Sequence, residues 1–304
     1  MTLTAAALII TSAFMHAGWN YVSKRRSPSL AFFWIAAISG ALVMTPNFWL
    51  YRQALGQIPP AVWGWICATG VAQAIYVTGL AGAYKRGDIS LAYPLARALP
   101  VLFVAVISIL LGKGDQIRQV GLFGMALISI GCVILPLKSF RQIKLRDYFD
   151  GVYAMALVAA IGTTGYSLID DQALRLLRQT PTLGLSSVQI TLLFISFQVT
   201  STAVMLSFVT WLHAPTRREL RRLLQDRALV RVGLLTGVVI MATYGLVLAA
   251  MGYVTNVSYV AAFRQLSIPI GAMMGLVLQN EPRFVPKLIG IGIVSIGLIL
   301  VGFG

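Results

Sequence analysis

Ten apolar segments follow one another along this chain and leave little of it for any other structure. Each holds roughly 20 mostly apolar residues, the length that an α-helix needs to cross a hydrocarbon core ~30 Å thick. A chain that is 58% hydrophobic and only 11% charged is too apolar for a soluble domain. We therefore expect an all-α integral membrane protein with ten transmembrane helices. The segments run roughly over residues 3–22, 30–50, 61–84, 89–111, 119–137, 150–169, 186–212, 231–251, 257–279 and 287–303.

The first segment and the cysteines argue against several other classes. The N-terminus lacks both a basic n-region and a convincing cleavage site, so residues 3–22 are expected to form a mature helix and not a signal peptide. Cys67 and Cys132 both fall in apolar segments and predict neither a disulfide framework nor a metal site. The sequence shows no Walker A loop, zinc-site spacing or catalytic triad. We expect no enzymatic activity, no ATP drive, no cofactor and no metal.

The two halves of the chain repeat each other. Residues 122–131 match 288–297 in their Gly, Ser, Ile and final Gly, and Tyr76 precedes Tyr244 by 168 residues. This spacing predicts two halves of five spans each. Because five is odd, the halves must cross the membrane in opposite directions, as in the inverted repeats of many secondary transporters. We assign residues 1–137 to the first repeat, 138–149 to a basic connecting loop, and 150–304 to the second repeat.

Basic residues are distributed unevenly over the connections between spans. Counted together with the first residue of the following span, connections after odd-numbered spans hold 17 Lys and Arg, and those after even-numbered spans hold 5. The positive-inside rule then places the odd connections in the cytoplasm and both termini outside. The connection at 213–230 has arginines at helical spacing and predicts a basic amphipathic helix near 217–231 on the membrane surface. The expected partner of the net charge of +15 is therefore anionic lipid and not nucleic acid.

Two arginines inside apolar spans are the strongest functional signal. Arg97 lies nine residues beyond Asp88, about 13.5 Å along a helix, and Arg264 lies eight residues beyond Asn256, about 12 Å. A charge at the bilayer centre costs at least ~2.5 kcal/mol, which makes each a functional-site hypothesis. In inverted halves both guanidiniums would approach the midplane, where their donors suit a carboxylate, phosphate or phosphonate. Alternatively, backbone carbonyls or a carboxylate such as Asp170 satisfy each arginine internally, or its side chain snorkels.

Other polar and aromatic residues of the spans are candidates for the same cavity. Tyr76 and Tyr244 recur in both halves, as do the near-equivalent Tyr93 and Tyr259, and a cavity would supply partners for their hydroxyls. Core packing or an interfacial aromatic belt is the alternative for each tyrosine. The predicted substrate-binding residues are Arg97, Arg264, Tyr76, Tyr93, Tyr244, Tyr259, Trp19, Asn20, Gln73 and Gln265.

Proton coupling has two candidate residues. His16 shares a helix face with Trp19 and Asn20, and a free imidazole titrates near pH ~6.5. The alternative is a polar contact between helices beside an ordinary packing tryptophan. Asp170 is placed at the end of the sixth span, as a coupling site or as a helix-end cap. We expect no Asp or Glu in the middle of a span, which argues against exchange of a cation for a proton.

Four short motifs carry a family likeness. They are Ser-Leu-Ala-Tyr-Pro-Leu-Ala-Arg at 90–97, Ser-Tyr-Val-Ala-Ala-Phe-Arg-Gln-Leu-Ser at 258–267, Leu-Gln-Asn-Glu at 278–281 and His-Ala-Gly-Trp-Asn at 16–20. With its ten spans, the whole chain resembles the EamA-like, ten-helix branch of the drug/metabolite transporter superfamily. The first half departs from the family pattern, because Leu-Gly-Lys at 111–113 stands where Leu-Gly-Glu ends the corresponding helix.

The resemblance implies a gradient-coupled carrier that exports small metabolites such as amino acids. It implies a central cavity lined by spans 1, 3, 4, 6, 8 and 9. It also implies cytoplasmic termini, which conflicts with the distribution of basic residues.

We therefore expect a secondary active transporter, and more specifically an exporter, of a small anionic or zwitterionic metabolite such as an amino acid or an organic or phosphonic acid. Transport would proceed by alternating access around a midplane cavity. The alternatives are a multidrug or lipophilic-cation efflux carrier, and a lipid-headgroup flippase or membrane scaffold. The expected location is a cell membrane, the inner membrane of a bacterium, and the expected state is a monomer or homodimer.

Overall fold

The apolar segments of the sequence form α-helices. The computed structural model describes residues 2–23, 29–86, 89–135, 137, 139–140, 151–278 and 282–304, without the side chains at 19–23, 86, 89–95 and 275. Within these ranges there is no β-strand. In chain order the helices are α1 Leu3–Ser23, α2 Leu30–Leu50, α3 Arg52–Leu55, α4 Pro60–Arg86, α5 Ile89–Ser108, α6 Gln119–Ile134, α7 Gly151–Arg178, α8 Ser187–Leu212, α9 Ala214–Gln225, α10 Arg227–Ala250, α11 Val257–Phe263, α12 Ser267–Leu278 and α13 Val285–Phe303.

Eight helical stretches of the described chain are long and apolar enough to cross a membrane. Two further apolar helices, Leu3–Gly18 and Gln119–Ile134, are shorter. Helices suit lipid because they satisfy their backbone hydrogen bonds internally. The expectation of an α-helical, multi-pass membrane protein is confirmed, whereas the number of ten spans stays a prediction. The eight stretches are Leu30–Leu50, Pro60–Lys85, Ala96–Gln116, Gly151–Arg178, Ser187–Leu212, Arg227–Tyr253, Val257–Leu278 and Val285–Phe303.

Helices α6 and α13 run antiparallel with their backbones in contact. A Cβ atom on Gly124 would lie 2.7 Å from the carbonyl oxygen of Gly297, and a Cβ on Gly297 would lie 2.7 Å from that of Gly124. About two turns further along α6, a Cβ on Gly131 would lie 2.9 Å from the carbonyl oxygen of Gly290. Only residues without a side chain permit this approach, which small residues allow in membrane helices generally.

Two crossings of parallel helices also depend on glycine. Gly70 of α4 lies against Ser201 of α8, and Gly237 of α10 lies against Ala36 of α2. In both places a Cβ atom would overlap with the neighbouring helix. These crossings hold α2, α4, α8 and α10 together as the walls of a central space.

The bundle has a packed half and an open half. Helix α2 begins and α8 ends at the same face, where Trp34 Nε1 donates to Ser207 Oγ at 2.8 Å. Helix α9 follows α8 directly, and we call this side the α9 face. Near the opposite face a large buried cluster that includes Ile58, Leu183 and Val257 fills the space between the helices. A cavity inside the bundle can therefore extend only toward the α9 face.

The helix that carries Asp170 is longer than predicted. Helix α7 continues to Arg178, so Asp170 and Asp171 lie inside it and are 0% and 3% exposed. The prediction that Asp170 ends the sixth span, and that no carboxylate lies within a span, is wrong. Hydropathy falls where these charged residues begin. The helix nevertheless continues, because Arg175 Nε pairs with Asp171 Oδ2 one turn away at 2.8 Å.

The basic connection at 213–230 also differs from the prediction of one surface helix near 217–231. Helix α9 ends at Gln225, and the side chain of Asp226 caps the start of α10 at Arg227. The arginines are therefore divided between a short helix and the beginning of a span, and all of them are exposed. Residues 141–150, most of the predicted basic connecting loop, lie outside the described residues.

The ninth predicted span is interrupted where Arg264 lies. Helix α11 ends at Phe263, a 3-10 turn follows, and α12 begins at Ser267. Pro269 has no N–H to donate to the carbonyl of Gln265, which disfavours a continuous α-helix at this point. The interruption leaves the carbonyl of Arg264 open to side-chain donors.

Candidate functional site

A cavity of about 120 Å³ lies between the packed half of the bundle and the α9 face. One water needs only ~10–15 Å³, so the cavity has room for a small solute. Its wall comes from α1, α2, α4, α5, α7, α8, α10 and the turn at Arg264, which belong to both halves of the chain. Among the described residues of the wall there is no Asp or Glu. The polar wall residues are Ser12, His16, Gln73, Tyr76, Arg97, Tyr166, Gln198, Thr202, Thr243, Tyr244 and Arg264.

Arg97 is fixed in the wall by three neutral acceptors. Its Nε donates to Gln265 Oε1 at 3.0 Å and its Nη2 donates to the carbonyl oxygen of Arg264 at 2.9 Å. Its Nη1 lies 2.6 Å from His16 Nε2, and the side chain is 8% exposed. The carbonyl that the helix interruption opens is thus used by a guanidinium from α5. Arg97 ties α1, α5 and the turn together.

The contact with Arg97 determines which tautomer His16 adopts. A guanidinium only donates hydrogen bonds, so Nε2 of His16 must accept, and its ring proton lies on Nδ1. A proton added to Nε2 would break this contact and place two cations side by side. In this arrangement His16 is therefore a structural acceptor. A role in proton transfer would require Arg97 to move.

Arg264 is held by aromatic rings. Its Nη2 donates to the hydroxyl of Tyr166 at 3.0 Å, and the guanidinium carbon lies 5.7 Å and 5.3 Å from the ring centres of Tyr166 and Tyr244. Ring faces stabilise a cation without neutralising it. Within the described part of the chain, no carboxylate lies within ion-pair distance of Arg264. The side chain is partly exposed, and it faces the cavity.

Asp170 lies one layer behind the cavity wall. Its Oδ2 accepts a hydrogen bond from the hydroxyl of Tyr244 at 2.5 Å. Its Oδ1 and the hydroxyl of Thr69 are both buried and have no hydrogen-bond partner among the described residues. The ring of Tyr244 separates this carboxyl group from Arg264. A charge on Asp170 therefore acts on Arg264 across an aromatic ring and not through a direct ion pair.

Three tyrosines form a continuous aromatic surface beside Arg264. The ring centres of Tyr76 and Tyr166 are 5.7 Å apart with planes at 70°, and those of Tyr166 and Tyr244 are 5.4 Å apart at 90°. Both geometries are edge-to-face, which is favourable for aromatic pairs. The surface joins α4, α7 and α10 and sets the position of Arg264.

Sequence reasoning missed five polar residues of the wall, which are Ser12, Tyr166, Gln198, Thr202 and Thr243. Tyr166 lies one turn before Asp170 on α7, and Gln198 and Thr202 lie one turn apart on α8. Gln198 Nε2 approaches the hydroxyl of Thr202 at 3.5 Å. A glutamine and a threonine at i and i+4 in an otherwise apolar span are a signal that could have been used. Tyr166 could have been found from its spacing to Asp170.

The structure places the predicted site residues in several environments. His16, Gln73, Tyr76, Arg97, Tyr244 and Arg264 line the cavity. Gln265 lies behind the wall as an acceptor for Arg97, and Asp170 lies behind Tyr244. Tyr259 is away from the cavity, where its hydroxyl accepts from the backbone N–H of Arg118 at 3.0 Å. The side chains of Trp19, Asn20 and Tyr93 lie outside the described residues.

Polar contacts from the end of α7 close the opposite face of the bundle. Arg175 Nη2 donates to the carbonyl of Thr255 at 3.0 Å, and Arg178 Nη2 donates to the carbonyl of Leu248 at 3.1 Å. Lys113 Nζ donates to Gln172 Oε1 at 3.1 Å. These contacts join α7 to the end of α10, to the segment before α11 and to the segment after α5.

Comparison with known proteins supports the fold. Twenty-five chains of solved structures are similar, and one, described as "Crystal structure of protein", superposes with a TM-score of 0.66. That superposition covers 100% of this chain and 98% of the other, at 15% sequence identity. No protein-family model and no curated protein matches the sequence. At this identity the likeness shows a shared fold alone.

Proposed function

We propose that this chain is a secondary active transporter of the drug/metabolite transporter kind, which exports a small anionic or zwitterionic metabolite. The proposal rests on one observation, the surroundings of the Arg264 side chain. Its guanidinium faces a cavity inside the helical bundle, is held by aromatic rings and keeps donors that none of the described residues uses. A carboxylate, phosphate or phosphonate can accept two such donors side by side. An unpaired cation inside a membrane protein is costly unless a ligand uses it.

Matching helix crossings support two inverted five-helix repeats. Two pairs of close crossings become equivalent when both residue numbers of one crossing are shifted by 165 to 167 positions. Helices α6 and α13, which would be the fifth and tenth spans, run antiparallel, as opposite orientation requires. The counterparts are Gly70–Ser201 with Gly237–Ala36, and Gly124–Gly297 with Gly290–Gly131.

The arrangement of cavity and core suits one end state of alternating access. The cavity lies toward the α9 face, and the packed cluster with the contacts of Arg175 and Arg178 closes the opposite face. The α9 face carries the odd-numbered, basic connections, which the positive-inside rule assigns to the cytoplasm. An exporter in this state would load its substrate from the cytoplasm. Release would require the contacts at the end of α7 to break.

Asp170 is the proposed proton-coupling group. It is buried, it shares a hydrogen bond with Tyr244, and it lies across that ring from the anion-binding guanidinium. Loss or gain of its charge would change how strongly Arg264 attracts an anion. His16 serves in this proposal to hold Arg97.

The exposed arginines at the α9 face are the proposed lipid-contacting surface. Arg217, Arg218, Arg221, Arg222 and Arg227 are all exposed at the end of the bundle where anionic headgroups would lie. This surface also suits the flippase or scaffold alternative. Efflux of lipophilic cations has less support, because no carboxylate is among the described residues of the cavity wall.

The proposal is tested by measuring charge movement in proteoliposomes on a solid-supported membrane. Organic carboxylates, phosphonates and amino acids are applied one at a time to the wild type, Arg264→Gln and Arg52→Gln. Arg52 is an exposed arginine beside Trp49, far from the cavity, and gives a matched control. We expect currents with at least one anion in the wild type and Arg52→Gln, and none in Arg264→Gln. Equal currents in all three proteins would refute the anion site.

A further inference from the structure

The distribution of polar and apolar side chains in the cavity indicates what kind of anion it accepts. We infer that the site binds a monoanion with a short apolar tail and without an ammonium group, such as a medium-chain or aryl carboxylate. The inference rests on the proposed carrier function and narrows its substrate class, because it separates organic acids from amino acids.

The polar end of the cavity would hold the anionic head. Arg264 offers donors there that no described residue uses, and the amide of Gln73 and the hydroxyl of Tyr76 lie in the same wall. Gln198 adds a second amide from α8. Several donors from different helices converge on one region, which is how small-molecule sites fix orientation. A single carboxylate is enough to use them.

The other end of the cavity is apolar. Phe33, Val77 and Leu206 are buried members of one hydrophobic cluster, and Ala37 and Ile240 pack against it. All five also line the cavity. Leu206 lies eight residues beyond Gln198 on α8, which is ~12 Å along the helix. A ligand whose head reaches Arg264 therefore places its tail among these side chains.

The described residues of the cavity wall offer an ammonium group no charged partner. No carboxylate is among the described wall residues, and Asp170 is fully buried behind Tyr244, whose hydroxyl it already binds. The ring faces of Tyr166 and Tyr244 already hold the guanidinium of Arg264. The α-ammonium of an amino acid would lie close to that same guanidinium and would be repelled by it. Among the described wall residues its acceptors would be uncharged, namely the amide oxygens of the glutamines and the hydroxyl oxygens of Ser, Thr and Tyr residues.

The test is equilibrium binding to the purified full-length chain in lipid nanodiscs, with empty nanodiscs as the background. The probes are hexanoate, acetate, norleucine and hexylammonium, which differ in one feature at a time. We expect hexanoate to bind at least ~30-fold more tightly than acetate, since each buried methylene contributes about fourfold. Norleucine should bind at least ~10-fold more weakly than hexanoate, and hexylammonium should not bind.

Two variants, with one control, test separately the contacts of the anionic head and those of the apolar tail of the ligand. Arg264→Gln should abolish hexanoate binding, whereas Arg52→Gln should not change it. Val77→Thr keeps the shape of the side chain and adds a hydroxyl, so it should weaken hexanoate several-fold and leave acetate unchanged.

The outcomes distinguish this inference from the carrier proposal. If norleucine binds as tightly as hexanoate and Arg264→Gln abolishes this binding, the restriction to anions without an ammonium group is overturned. The proposal of an anion carrier would remain. If hexylammonium binds to the wild type and binds equally well to Arg264→Gln, both the inference and the carrier proposal are overturned. Binding of none of the four probes to folded protein would overturn the inference alone, because the currents with phosphonates test the carrier separately.

Discussion

Arg97 and Arg264 occupy corresponding places in the two halves of the chain but have opposite surroundings. Arg97 gives its donors to His16, Gln265 and the backbone of the turn. Arg264 lies between aromatic rings and makes one hydrogen bond to Tyr166. Arginines at corresponding positions of the two halves therefore differ in their contacts. Arg97 is bound by other parts of the protein, and the guanidinium of Arg264 faces the cavity.

The difference arises from the local backbone. In the second half the helix is interrupted at Arg264, so a carbonyl becomes available beside the cavity. Arg97 of the first half reaches across and uses that carbonyl. The two arginines of this sequence pair thus differ, because the guanidinium of Arg97 binds the backbone carbonyl of Arg264. An internal repeat identifies candidate residues, but their partners determine which of them faces the ligand.

The largest expected effect is on stability, from Arg97→Ala. The change removes the three hydrogen bonds of Arg97 to His16 Nε2, Gln265 Oε1 and the carbonyl of Arg264, which keeps the hydroxyl of Ser267 as a donor. At ~1 kcal/mol for each acceptor, we expect a loss of about 3 kcal/mol in the free energy of unfolding. Thermal melting of the purified protein in detergent measures it. A melting temperature equal to that of the wild type would show that the three contacts do not hold the turn in place.

Arg264→Gln should give the opposite result. Loss of two charge-assisted hydrogen bonds to an anion corresponds to about 3 kcal/mol, or at least ~100-fold in anion affinity. The melting temperature should stay close to that of the wild type, because the side chain of Arg264 makes only one hydrogen bond within the described part of the chain. Binding and melting are measured on the same preparations as for Arg97→Ala. If Arg264→Gln unfolds and Arg97→Ala only loses binding, the two roles have been assigned to the wrong residues.

Sequence reasoning located both arginines but not the difference between them. The depth of each arginine in its apolar segment follows from the rise of an α-helix. The helical membrane fold follows from the length and apolar character of the segments. The partners of Arg97 depend on how α1, α5 and the turn pack, which no local pattern encodes. Internal satisfaction by a backbone carbonyl is one of the alternatives that the sequence leaves open for each arginine, and the structure shows such a contact for Arg97.

The position of Asp170 shows why a span predicted from hydropathy can end too early. Hydropathy drops at residue 170, so a span predicted by composition ends there. The helix continues because Asp171 and Arg175 neutralise each other one turn apart. Tyr259 differs from the cavity tyrosines despite its near-equivalent position in the sequence. It packs against Gly121 of α6, and its hydroxyl accepts from the backbone N–H of Arg118.

Tyr244→Phe tests whether Asp170 communicates with Arg264. The change removes one hydroxyl that donates to a carboxyl group and keeps the ring beside the guanidinium. A hydrogen bond to a charged group contributes ~1.5–3 kcal/mol, so we expect transport of an accepted anion to fall about tenfold and its dependence on pH to change. Currents are recorded over a series of pH values at one anion concentration. An unchanged rate with an unchanged pH profile would separate Asp170 from the transport cycle.

Tyr259→Phe provides the matched comparison and the smallest expected effect. It also removes a hydroxyl from a tyrosine in the second half of the chain. The partner that this hydroxyl loses is the backbone N–H of Arg118, outside the cavity. Hydrogen bonds between membrane helices contribute ~0.6 kcal/mol on average, so the melting temperature should fall only slightly and the currents should keep their size and pH profile. A loss of transport as large as that of Tyr244→Phe would mean that hydroxyl loss disturbs the bundle wherever it occurs. The effect at Tyr244 could then no longer be attributed to Asp170.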